Sequence, residues 1–166
     1  MKIRFNYQGA IFLLLISIFN LLFTFKTISQ ISYGGIPKSF QATTISRSVQ
    51  TVVMSPVNID SLIQEDSTFS GGAFRYGYLI PVDFGLTNIG TWDTLEDGGR
   101  LWRLEIISNG ALGIELIYDS FWLPDGANFF LYNENKSVVI GAFTSKNNKE
   151  GKKFATMPIE NDKIIL

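Results

Sequence analysis

Beyond residue 73, large apolar residues recur at every second position along much of the chain. Phe74, Tyr76, Tyr78, Ile80, Val82 and Phe84 share one phase, with Arg75, Gly77 and Asp83 on the other and Leu79 and Pro81 as interruptions. Alternation of this kind sets one face of a strand on a core and the other in water, so a strand is expected over 74–84. Trp102, Leu104 and Ile106 repeat the pattern, with Arg103 and Glu105 opposite. Asn109-Gly110 follows, a dipeptide suited to a two-residue hairpin turn because both residues tolerate positive φ. A returning strand then carries Leu112, Ile114, Leu116 and Tyr118 on one face, which would bring Glu115 opposite Arg103 and Glu105.

Pro124-Asp125-Gly126 reads as a turn. Further strands are expected over 129–132, 138–143, 154–159 and 164–166, separated by turns at 133–136 and 161–162 and by a polar loop over 145–153. Residues 51–54 hold one more short alternation. No window of helical length beyond the N-terminal segment shows a 3.6-residue period. The expected fold class is therefore all-β, an antiparallel β-sandwich or jelly-roll-like domain preceded by a signal helix.

The N-terminal segment reads differently. Lys2 and Arg4 precede an almost wholly apolar run over 10–25, followed by Lys26 and by Thr27 and Ser29 at the −3 and −1 positions of a cut before Gln30. That layout predicts a secretory signal peptide over 1–29. The alternative is an uncleaved anchor formed by 10–25, a run just short of the roughly 17–25 residues a spanning helix needs. Residues 30–72, rich in Ser, Thr, Gln and Gly, read as an extended lead-in, and 73–166 as the β-domain. The last three residues, Ile164-Ile165-Leu166, end the sequence inside an apolar run. Such an ending fits a buried terminal strand or a domain truncated at its C-terminus, and truncation is the expectation.

Composition narrows the chemistry. With no His and no Cys, neither an imidazole-based triad nor a thiol nucleophile, disulfide or thiolate metal site is available. The net charge is −1; loss of Lys2, Arg4 and Lys26 with the signal leaves eleven basic against 15 acidic residues, about −4. That balance offers no pull toward nucleic acid. No catalytic residue, cofactor or metal site is expected, and membrane contact only through the N-terminal segment.

Other groups have competing readings. Glu105, Glu115 and Asp119 could supply a carboxylate pair for glycoside hydrolysis, which needs two acids roughly 5–10 Å apart. Strand alternation instead makes them solvated outward charges. Asp93, Glu96 and Asp97 before Gly98-Gly99 offer hard oxygen ligands for calcium, but lack EF-hand spacing and read as an acidic turn. Lys146, Lys149, Lys152 and Lys153 read as a solvated basic loop. Trp102, in phase with Leu104 and Ile106, is assigned to the core. Trp92 and Trp122, near turns, are the candidate partner contacts.

A resemblance runs through the mature region. Gly34-Gly35-Ile36-Pro37-Lys38-Ser39-Phe40, Leu101-Trp102-Arg103, Ser108-Asn109-Gly110-Ala111 and Phe121-Trp122-Leu123-Pro124-Asp125-Gly126-Ala127 carry it. So do Phe130-Leu131-Tyr132-Asn133, Gly141-Ala142-Phe143-Thr144, Asn147-Asn148 and Ala155-Thr156-Met157-Pro158-Ile159. The pattern resembles the non-catalytic leader that precedes the trypsin-like domain in secreted bacterial lysyl-endopeptidase-type serine protease precursors. The catalytic domain of that family has no counterpart in this sequence, so no catalytic residue carries over. The resemblance implies an exported leader that helps to fold, restrain or escort a protease domain of the same precursor. The alternative is a stand-alone exported β-sandwich that binds glycan, peptide or cell envelope.

Overall fold

A computed structural model describes residues 32–68, 71, 73 and 75–166. The expected signal segment 1–29, the anchor alternative at 10–25, the cut between Ser29 and Gln30, and Phe74 lie outside the described residues. Among the described residues, no helix is long and apolar enough to cross a membrane.

The described residues are β-rich, forming eleven short strands, one α-helix and two 3-10 turns. In sequence order the strands are β1 (Thr51–Val53), β2 (Thr91–Thr94), β3 (Arg100–Arg103), β4 (Glu105–Ile107), β5 (Gly113–Ile114), β6 (Ile117–Tyr118), β7 (Phe129–Asn133), β8 (Val139–Phe143), β9 (Phe154–Ala155), β10 (Ile159–Glu160) and β11 (Lys163–Ile165). Five of them form the main sheet, in the order β1-β4-β11-β7-β8. The pairs β2–β3, β5–β10 and β6–β9 form smaller ribbons.

Every pairing is antiparallel except β1 with β4, whose parallel register sets Val52 beside Ile106. The purely antiparallel arrangement expected from the sequence is corrected here. Parallel neighbours need a long crossover, and the segment between Val53 and Glu105 provides it, including the helix and the β2–β3 ribbon.

The main sheet is apolar where its strands meet. Ile164 of β11 lies between Ile106 of β4 and Asn133 of β7 and is fully buried. Leu104, Ile106, Leu131, Phe143 and Ile164 join Phe121, Phe154 and Ile159 in one core cluster. Full burial of side chains of this size contributes about 1.5–3 kcal/mol each before the entropy cost. Strand β11 is thus an inner strand, hydrogen-bonded on both sides.

At β8 the register slips opposite Phe129 and Phe130. Gly141 sits there at φ +115°, and a Cβ on it would lie 2.4 Å from the Phe129 carbonyl oxygen, so the position requires glycine. The outer edge of β8 is covered by the lead-in: Tyr33 and Gly34 N–H groups donate to the Ala142 and Gly141 carbonyls at 3.0 Å.

Three further expectations change. Residues 75–83 form no strand, and Tyr76, Tyr78, Leu79 and Val82 are exposed. Alternation supplies a strand face, but Pro81 has no N–H to donate and no described strand lies alongside. Asn109-Gly110 does not close a hairpin. The Ala111 N–H donates to the Ser108 carbonyl at 2.9 Å, after which β5 and β6 pair with β10 and β9, while β4 pairs with β1 and β11. Finally, the lead-in contains an unforeseen helix, α1 (Ile59–Thr68). Asn58 caps it, its Oδ1 accepting the Ser61 N–H at 3.1 Å. Arg75 bridges Glu65 and Asp66 at the helix end at 2.9 and 3.0 Å.

Candidate functional site

The strand run expected over 102–106 breaks at Leu104, which is buried, so that β3 and β4 serve different sheets. This break places Arg103 beneath β2. Its guanidinium donates to Asp93 Oδ2 at 2.7 Å and to the Ser46 carbonyl at 2.7 Å, while Asp93 Oδ1 accepts the Ser46 N–H at 2.8 Å. Both side chains are nearly buried. Burial pushes the Asp93 carboxyl up, but the Ser46 amide and the Arg103 charge outweigh it and hold the group below the usual carboxylate range. The pair pins the lead-in to the β2–β3 ribbon, and Asp93 has little left to offer a metal.

The other acidic candidates are separately engaged. Glu96 accepts from the Thr43 hydroxyl at 3.2 Å. Asp97 takes the Gly99 N–H and Lys38 Nζ, which together lower its pKa. These contacts bridge an open polar cleft of about 250 Å³ between Lys38, Gln41 and Thr44 on one wall and Leu95, Glu96 and Asp97 on the other. Among the described residues, no group of three His, Cys, Asp or Glu side chains converges as a metal site. Glu105 accepts from the Thr51 hydroxyl at 2.6 Å and lies 3.9 Å from Lys163, so it faces β1 and β11, not Glu115. Arg103 likewise faces Asp93. Asp119 pairs with Lys153, and Glu115 is exposed between β5 and β6. The three carboxylates therefore do not meet.

The aromatic candidates divide as their surroundings do. Trp102 packs against the core, its indole N–H donating to the Ile89 carbonyl at 2.8 Å and its ring pressed on Gly90. Trp92 lies opposite it in the β2–β3 register and remains 40% exposed. One face of Trp92 is taken by the Arg100 guanidinium, 4.0 Å from the ring centroid, and its N–H is spent on the Leu86 carbonyl.

Trp122 is presented differently. Phe121 is buried and stacks on Phe154 at 4.1 Å. The Phe121 N–H donates to the Lys152 carbonyl at 2.8 Å. On the other side, Asn148 exchanges two hydrogen bonds with the Leu123 backbone, at 2.9 and 2.8 Å. The backbone is thus fixed on both flanks of Trp122, whose side chain is 59% exposed. A clamped loop that holds a large aromatic in water offers a contact area at low ordering cost.

The unpaired segment 75–83 adds Tyr76, Tyr78, Leu79 and Val82, exposed at 78, 57, 70 and 48%. Alternation alone turns the Tyr76 and Tyr78 face inward; the signal against it is Leu79 and Pro81 on the supposed polar face. Comparison with known proteins finds no matching family model, no similar curated protein and no similar solved structure.

Proposed function

We propose that this is a non-catalytic, exported leader domain of β-sandwich type that assists folding or restraint of a trypsin-like serine endopeptidase domain, the partner type its motifs resemble. The observation that carries the reading is Trp122, held exposed on a loop whose flanking backbone is clamped by Asn148 and Lys152. Such an aromatic is a natural anchor for a protein partner, because hot spots are enriched in Trp and Tyr. The exposed, unpaired apolar run over 75–83 would add to the contact by strand addition, since its backbone lacks strand partners among the described residues. The leader's own residues catalyse no reaction in this scheme.

The test is refolding of a denatured lysyl-endopeptidase-type protease domain with the leader added in trans. The expected result is a higher yield of folded protease or inhibition of its activity, with both effects lost in Trp122→Ala. An unchanged yield together with no detectable binding would sink the proposal. Binding to glycan or envelope fragments through Trp122, without any effect on the protease, would favour the stand-alone binding module.

A further inference from the structure

Asn109-Gly110, which does not make the expected hairpin, is left with unusual chemical freedom. Asn109 is exposed, and its side-chain amide has no hydrogen-bond partner among the described residues. Gly110 is exposed at φ +80°, and a Cβ built on it would meet nothing within 4 Å. The turn closes through the Ala111 N–H to the Ser108 carbonyl.

Six of the other asparagines contrast with it. Asn88, Asn133 and Asn148 use both their amide oxygen and nitrogen. Asn58, Asn135 and Asn161 each accept a backbone N–H through Oδ1. Each of these six precedes a residue whose side chain shields the following amide, and Asn109 alone precedes glycine.

We propose that Asn109 is a self-modification site at which the protein deamidates. The Gly110 backbone nitrogen, having lost its proton to hydroxide, attacks Cγ of Asn109. A new bond between that nitrogen and Cγ closes a five-membered succinimide. The bond from Cγ to Nδ2 breaks, and the amide nitrogen leaves as ammonia after taking up a proton. Water then opens the ring at either carbonyl, leaving aspartate or isoaspartate at position 109. No oxidant, reductant or cofactor is required.

The position gives the change a structural effect. Ser108 donates its N–H to the Asp162 carbonyl at 2.8 Å, and Asn161 donates to the Leu112 carbonyl at 3.2 Å. The 108–111 turn is therefore hydrogen-bonded to the turn that feeds β11. A new carboxylate is placed in a turn already bonded to Asp162, and an isoaspartyl link adds a methylene to a backbone that must close between Ser108 and Ala111. Deamidation thus loosens one end of the β4–β11 pairing.

The experiment incubates the full-length protein at mildly alkaline pH and follows it by intact mass, peptide mapping and anion exchange. The expected result is a mass gain of about 1 Da, first at the peptide containing Asn109, at a rate that rises with hydroxide. Asn109→Gln should remove this first event, because closure of a six-membered ring is disfavoured, while leaving the folded spectrum unchanged. The converted fraction, separated by its extra negative charge, should unfold at lower urea concentration than the parent. Conversion at another asparagine first, or an intact Asn109 peptide in the native protein while the urea-unfolded protein is modified there, overturns the proposal.

Discussion

Tyr118 projects into a cluster of rings, with Phe121, Phe129 and Phe154 centroids at 5.6, 5.8 and 6.0 Å. Part of the residue still meets solvent, but its hydroxyl oxygen is sealed and has no hydrogen-bond partner among the described residues. Burial accordingly pushes the phenol pKa well above its ordinary value. A buried donor left unpaired costs about 1–3 kcal/mol, because water hydrates it in the unfolded state and nothing replaces that water in the folded one. Tyr118→Phe deletes the hydroxyl and keeps the ring, so every aromatic contact survives. The substitution should stabilise the fold by about 1 kcal/mol, raising Tm by roughly 3–5 °C for a domain of this size. Urea unfolding followed by tryptophan fluorescence reads the change as a shift in midpoint at constant m. Tyr118→Ala in parallel should cost about 3–5 kcal/mol by opening a cavity, which shows that the site is packed. If Tyr118→Phe is instead less stable by more than about 0.5 kcal/mol, the hydroxyl has a partner and the reasoning fails.

Asp93→Asn should destabilise by about 3–5 kcal/mol, since it leaves the nearly buried Arg103 charge uncompensated. Because the folded Asp93 pKa lies below its ordinary 3.8, its contribution is present above that value and fades as pH falls through the folded-state pKa. An acid titration of stability should therefore be shallower in the variant, and parallel limbs would contradict the linkage. Gly141→Ala should cost at least about 2 kcal/mol, as it strains a positive φ and forces a methyl onto the Phe129 carbonyl; thermal unfolding measures it. Trp122→Ala should change stability by less than about 0.5 kcal/mol while removing partner binding, read by calorimetry and by pull-down on the protease domain.

The second half of the fold is legible in the sequence because its signals are local. Leu131 and Phe143, the turns at 133–136 and 161–162, and the apolar Ile164 all report their own environment, and β7, β8 and β11 stand where those residues indicate. Pairing is not legible in the same way. Alternation over 74–84 declares that a strand face is available, but whether a neighbour exists depends on residues far away, and among the described residues no strand pairs with 75–83. Asn109-Gly110 favours a turn of a certain shape, yet Ile106 finds Val52 and Ile164, not the returning segment. Helix α1 escapes notice because Ile59, Leu62 and Ile63 make only a short apolar stripe; Asn58 three residues before Ser61 is the available cue. Among the acidic candidates, side-chain type suggests ligands, whereas the partners Arg103, Lys38 and Thr43 are brought in by the lead-in and β3, beyond the reach of spacing arguments.

The place of β11 in the main sheet has a consequence for timing. Among the described strands, β4 and β7 do not pair; the sheet's two halves, β1-β4 and β7-β8, are joined only when residues 163–165 arrive between them. A polypeptide emerging from its N-terminus therefore holds much of its apolar surface without a closed sheet to bury it until β11 has been made. Non-local pairing of this kind is slow, because loop entropy is lost before contacts repay it. In the exported leader proposed above, such a delay would lengthen the time during which the polypeptide remains unfolded enough to be threaded.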